Sequence, residues 1–170
     1  MKTIAKLFAA LACLIAALVL PQKLPAAQPD PMMASRVIQL VNQARQQSGL
    51  PPVAMDQKLM QAAQALADDL ARRRTLSHMD SSGNGIGQRF LAVDYVYALA
   101  DEALGGGQPT PETLVAALLA QPGNRDTLLN PDVRDAGVGY VFRPDEMGGI
   151  GLGTYWVIDL GLQVERGPGP

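Results

Sequence analysis

The chain has 170 residues and a formal net charge of −2, which fits one domain plus a short targeting segment. Its only basic run is Arg72–Arg74, so it lacks the positive surface expected of a nucleic-acid-binding protein. The single cysteine, Cys13, excludes a fold held together by internal disulfides.

Residues 1–27 have the pattern of a signal peptide. Lys2 and Lys6 provide a positive start, residues 7–20 are an uninterrupted apolar run, and small residues follow as a cleavage region. The run is too short to span a bilayer comfortably, so we expect it to be removed and to leave no stable membrane anchor. The segment predicts export, either to a periplasm or out of the cell. Removal of this segment also removes Lys2, Lys6 and Lys23, so the remaining domain carries a larger net negative charge.

The remainder divides into three parts on composition. Residues 28–34 begin with a proline-rich stretch and are expected to form a flexible leader. Residues 35–163 carry the periodic patterns of a folded domain. Residues 164–170 end in glycine and proline and are expected to be a disordered tail.

Two amphipathic helices are predicted at the start of the domain. Apolar residues recur at i, i+3, i+4 and i+7 from Val37 to Ala44, and Gly49 supplies a stop. Asp56 is a suitable N-cap for a second helix from about Gln57 to Arg74, which has a broad apolar stripe. Both helices therefore need a surface on which to pack.

The middle of the domain has weaker signals. A turn-rich segment at 80–85 precedes a short helical segment at about 87–92. Residues 95–97 suggest a short strand, whereas residues 98–103 are compatible with a helix. The sequence alone leaves the structure of this stretch open.

A third long helix and two strands complete the domain. Thr110 as N-cap and Pro111 at the first helical position mark the helix start, and Pro122-Gly123 is read as a turn that ends it. Residues 138–142 and 156–162 alternate with period two and predict paired strands. This order of elements predicts an α+β fold in which helices pack on a small antiparallel sheet.

Residues 121–140 read QPGNRDTLLNPDVRDAGVGY. They resemble the S-P-G-H-R-x-x-I-L-N-P and G-V-G-Y signature of the bacterial branch of the CAP superfamily. This superfamily is named after cysteine-rich secretory proteins, antigen 5 and pathogenesis-related proteins, and its members are also called SCP-like. Weaker matches follow the family's order at 42–51 (N-x-x-R-x-x-x-G-L-P), 76–78 (L-S-H), 101–104 (resembling G-E-N-I) and 155–156 (Y-W). The resemblance implies a CAP-like α-β-α sandwich.

The resemblance also implies a cleft where two histidines face acidic partners and, in several members, hold a divalent metal. His78 and Glu102 match two of these positions, but Asn124 stands where the second histidine is usual. An amide oxygen is a poor zinc ligand, so His78 and Glu102 remain as weak metal candidates and at most weak divalent-metal binding is expected. Alternatively, these side chains are a hydrogen-bonded remnant that fixes a loop to the sheet.

Other catalytic arrangements have little support. The sequence has one histidine, no cysteine after the signal segment and no G-x-S-x-G motif. Ser77 adjoins His78, but neighbours in sequence rarely face each other as nucleophile and base. We therefore expect an exported protein that acts by binding a lipid, a cell-envelope component or a protein partner through the family cleft. Two alternatives stay open: a metal-dependent hydrolase with a modified site, and a structural envelope protein.

Overall fold

A computed structural model describes residues 30–146, 149 and 151–164. The predicted signal peptide and nearly all of the predicted tail lie outside these residues. Within them, the helices are α1 (Pro31–Gln47), α2 (Gln57–Arg73), α3 (Ile86–Ala92), α4 (Pro111–Leu119) and α5 (Pro122–Leu128), and the strands are β1 (Ala54–Met55), β2 (Tyr97–Gly106), β3 (Asp135–Phe142) and β4 (Thr154–Gln163). None of these helices has the length and apolar character needed to cross a bilayer.

The strands form one sheet in the order β1-β3-β4-β2. Strand β4 lies between β2 and β3 and pairs antiparallel with both. The two-residue strand β1 adds a parallel edge to β3. The predicted α+β fold is confirmed, although the sheet is mixed because of this short edge strand.

Helices cover both faces of the sheet. Val138, Trp156 and Ile158 belong to an apolar cluster with residues of α1 and α4. Tyr155 and Val157, which alternate with them along β4, pack with residues of α2 on the other face. The result is an α-β-α sandwich, which explains why β4 is buried from Thr154 to Gly161.

Two glycines of β3 allow α2 to lie directly on the strand backbone. A Cβ atom at Gly137 would lie 2.1 Å from the carbonyl carbon of Leu59, and one at Gly139 would lie 2.2 Å from the carbonyl oxygen of Ala63. Any side chain at either position would push the helix away from the sheet. The G-V-G-Y part of the sequence signature therefore has a packing reason.

Local capping signals gave the correct helix ends. Asp56 Oδ1 accepts hydrogen bonds from the backbone N–H groups of Lys58 (2.8 Å) and Leu59 (3.0 Å) at the start of α2. Gly49 follows the end of α1 with φ +73°, and Thr110 caps α4. These features depend only on nearby residues, so they can be read from the sequence.

Two expectations were wrong, and a third stretch, which the sequence left open, is a strand. Helix α1 begins at Pro31, capped by Asp30, so the second half of the predicted 28–34 leader is helical. Residues 98–103 belong to β2, because pairing with β4 overrides the helical preference of an alanine-rich stretch. Pro122-Gly123 starts α5 instead of forming only a turn, since proline is well suited to the first helical position.

Candidate functional site

His78 and Glu102 are brought together, as the family resemblance implies. His78 lies in the loop after α2, and Glu102 lies on β2 with its side chain on the face covered by α2 and α3. His78 Nδ1 is 2.6 Å from Glu102 Oε1. The glutamate side chain is only 3% exposed, whereas 66% of the histidine side-chain surface is exposed. The pair therefore joins a buried carboxylate to an outward-facing imidazole.

Arg89 of α3 is the third member of this network and contacts the buried carboxylate. Its side chain is 6% exposed, and its Nη2 donates to Glu102 Oε2 in a buried ion pair. Its Nη1 donates to the carbonyl oxygens of His78 (2.8 Å) and Asn84 (3.0 Å). One guanidinium thus holds both the carboxylate and the backbone of the histidine loop. The sequence did not single out this residue, for which the only signal was an arginine within a short, partly apolar helix.

A second carboxyl group lies beside Glu102. Asp159 is its direct partner across β2 and β4 and is fully buried. Burial, with the negative charge of Glu102, raises the pKa of Asp159 well above its ordinary value. A neutral Asp159 avoids two adjacent buried negative charges. The signal missed in the sequence was an aspartate inside the apolar run of β4.

Asn124 does not join this network. It lies on α5, whose Leu128 packs in the α1 and α4 layer, and its Nδ2 donates to Gln121 Oε1 at 2.9 Å. Thr127 of the same helix donates to Asp101, which precedes Glu102 on β2 and points to the opposite face. Among the described residues, Asn124 makes no hydrogen bond to His78 or Glu102.

The donor set does not fit a resident metal ion. His78 Nδ1 and both oxygens of Glu102 are engaged with one another and with Arg89. A buried guanidinium next to the carboxylate also opposes a second cation. Over the described ranges, no three His, Cys, Asp or Glu side chains come together as a metal site. We therefore assign no metal-dependent step to these residues.

The loop that carries His78 is held firmly. Ser77 Oγ donates to the carbonyl oxygen of Met79 and accepts from its N–H, both at 3.0 Å. Arg73 Nη2 donates to the same carbonyl at 2.8 Å. The Ser77 hydroxyl is thus hydrogen-bonded to the backbone of its own turn. It is not hydrogen-bonded to His78, as a nucleophile would be. Leu76 and Met79, which lie close to His78 in the sequence, are also exposed.

Comparison with known proteins agrees with the sequence signature. The model of the "Cysteine-rich secretory protein family" (CAP) matches residues 38–160. The uncharacterized protein YkwD of Bacillus subtilis is 32% identical over 106 residues, which cover 62% of this chain and 41% of YkwD. The chain therefore spans less than half the length of this curated relative.

Solved structures show the same fold. An extracellular protein containing an SCP domain from Bacillus anthracis superposes with a TM-score of 0.69 at 20% identity, covering 78% of this chain and 41% of that one. An outer surface protein of Borrelia burgdorferi gives a TM-score of 0.68 at 22% identity, covering 76% and 92%. At these identities the likeness establishes the architecture alone.

Proposed function

Because this chain belongs to the bacterial branch of the cysteine-rich secretory protein (CAP) family, we propose that it is an exported protein that binds a cell-envelope partner. The partner contacts the His78 surface, which consists of Leu76, His78 and Met79. The protein acts by binding and not by catalysis.

The observation that carries this proposal is the contrast between the two sides of His78. Behind the ring, Glu102 and Arg89 form a buried network that fixes the imidazole and its loop. In front, the ring and two apolar side chains are exposed. A rigid surface loses little conformational entropy when it binds, which favours recognition. Apolar contacts supply affinity while the free edge of the imidazole supplies a directional hydrogen bond.

A hydrolase is less well supported by the same geometry. A histidine oriented by a carboxylate resembles a general base, but it needs a nucleophile or a metal-bound water. The hydroxyl of Ser77 is committed to Met79, and the donor set does not fit a metal. A binding role needs neither component.

Export is proposed from two independent features. The N-terminal sequence has the charge and apolar pattern of a signal peptide. Two proteins of the same fold are described as extracellular and as an outer surface protein. Fractionation of the producing bacterium should place the processed chain outside the cytoplasm, and an unprocessed cytoplasmic chain would contradict this part of the proposal.

Site-directed photo-crosslinking tests the binding surface. A photoreactive phenylalanine replaces Met79 in the full chain, and the chain is irradiated in the producing bacterium. We expect a discrete adduct that is lost when His78→Ala is combined with the probe. Digestion of the adduct with protease, lipase or muramidase then separates a protein, a lipid or a cell-wall partner.

The matched control places the same probe at Gln43, which is exposed on α1 in the opposite layer. It should give no such adduct. Equal adducts at both positions would refute a specific surface. An ester- or amide-hydrolysing activity abolished by His78→Ala in a folded protein would instead support the hydrolase.

A further inference from the structure

A small cavity lies between α2 and α3, apart from the His78 surface. Its volume is about 230 Å³. In liquid water, roughly eight molecules occupy this volume, at about 30 Å³ each. One wall is apolar and is formed by small or aliphatic side chains of the two helices and the residue after them: Ala62, Ala65, Leu66, Ala92 and Val93. The turn at 80–84 forms the opposite rim.

The rim carries polar groups that are free to bind. Asn84 and Gln88 line the cavity beside Ser81. In the described part of the chain, the Asn84 Oδ1 and the Gln88 amide nitrogen have no hydrogen-bond partner, whereas Ser81 is hydrogen-bonded to Asp69. Their neighbours hold them in place, since Asn84 Nδ2 donates to Asp80 Oδ2 at 3.0 Å and Gln88 Oε1 accepts from Gly85 N–H at 2.9 Å. Both donors and acceptors therefore face the same space.

The charges around the cavity balance. Asp69 and Asp80 line it together with Arg72 and Arg89. Burial acts to raise the pKa of Asp69, but hydrogen bonds from Ser81, Arg72 and Arg73 outweigh it and hold the pKa below its ordinary value. An anionic ligand would meet the two carboxylates and a cationic ligand would meet the two guanidinium groups. A neutral polar ligand avoids both repulsions.

We propose that this cavity binds a single uncharged sugar ring. A pyranose has hydroxyl groups that both donate and accept hydrogen bonds, which match the mixed rim, and a C–H face that can cover the apolar wall. The volume is sufficient for one ring. This site does not depend on the envelope partner proposed for the His78 surface, since the two sets of residues differ.

Titration with N-acetyl-D-glucosamine, followed by amide chemical shifts of the ¹⁵N-labelled protein, tests the proposal. We expect shifts confined to the turn at 80–84, to α3 and to the part of α2 that lines the cavity, with a dissociation constant on the order of 1 mM, as befits a small ligand. Glucosamine and glucuronic acid are the charged comparison ligands. Each should bind at least tenfold more weakly than the neutral sugar.

Two variants and one control locate the site. Ala65→Leu fills the cavity from the exposed side of α2 and should abolish the shifts, whereas the control Gln61→Leu places a leucine one turn away and should leave them unchanged. Gln88→Ala removes one rim amide and should weaken binding about tenfold, which decides the question if Ala65→Leu does not fold. Absence of shifts at a hundred times the expected dissociation constant would overturn the proposal. So would tighter binding of a charged analogue, or binding that Ala65→Leu leaves unaltered.

Discussion

Replacement of Arg89 by methionine tests whether the buried network holds the His78 loop in place. The substitution keeps a long side chain but removes the charge that neutralises Glu102. It also removes the donor to the carbonyl oxygens of His78 and Asn84. The variant therefore leaves a buried carboxylate and two acceptors without their partner.

The expected loss of stability can be estimated from these contacts. Breaking a buried ion pair by removing one partner typically costs about 3–5 kcal/mol. Each lost hydrogen bond to a carbonyl adds about 0.5–1.5 kcal/mol, although the turn exposes part of it to water. We expect the free energy of unfolding to fall by about 4–6 kcal/mol, a large share of the roughly 5–15 kcal/mol available to a domain.

Urea unfolding followed by fluorescence measures this loss, because Trp156 is the only tryptophan and is fully buried. The control is Arg36→Met, which breaks the exposed ion pair with Glu112 and should change stability by less than about 1 kcal/mol. A loss for Arg89→Met no larger than that of the control would show that the Arg89–Glu102 pair is hydrated and that the network does not fix the loop.

Three further predictions follow from single contacts. Gly139→Ala places a methyl group against the Ala63 carbonyl and should lower the free energy of unfolding by about 1–3 kcal/mol; Gly123→Ala, with open space around it, should not lower it. Tyr155→Phe removes the 2.7 Å hydrogen bond to the buried Glu146. It should lower the free energy of unfolding by about 1.5–3 kcal/mol, which a lower melting temperature would show. Asp159→Asn should gain stability relative to the native chain as the pH rises above about 4, because the raised pKa of Asp159 keeps a proton on the folded state that the unfolded chain releases. Urea unfolding from pH 4 to pH 8 measures this gain, and a difference that is independent of pH would contradict it.

Much of the architecture could be predicted because its signals are local. The caps at Asp56 and Thr110 and the stop at Gly49 act over a few residues, so the sequence specifies them directly. Strand β2 could not be predicted with the same security. Its alanine-rich sequence has no strong β preference, and its structure depends on pairing with β4, which lies roughly fifty positions further along the chain.

The candidate site was predicted only in part for a similar reason. A linear motif identified His78 and Glu102, whose contact the structure shows. The motif could not reveal that Asn124, among the described residues, bonds to Gln121 of its own helix and not to His78 or Glu102. Arg89 and Asp159 were missed because a single charged residue within a mainly apolar element gives no indication of its buried partner.

Zinc binding by the native protein and by Asn124→His tests the central claim most directly. His78 is the only histidine, so its imidazole signals can be identified without ambiguity in the native protein. We predict that neither protein shows saturable changes at His78 on addition of zinc, because in the described part of the chain Asn124 bonds to Gln121 and not to His78 or Glu102, and Arg89 occupies the carboxylate. Stoichiometric, tight binding by Asn124→His would show that the two positions share a cleft. Tight binding by the native protein would contradict the assignment of His78 to a metal-free binding surface.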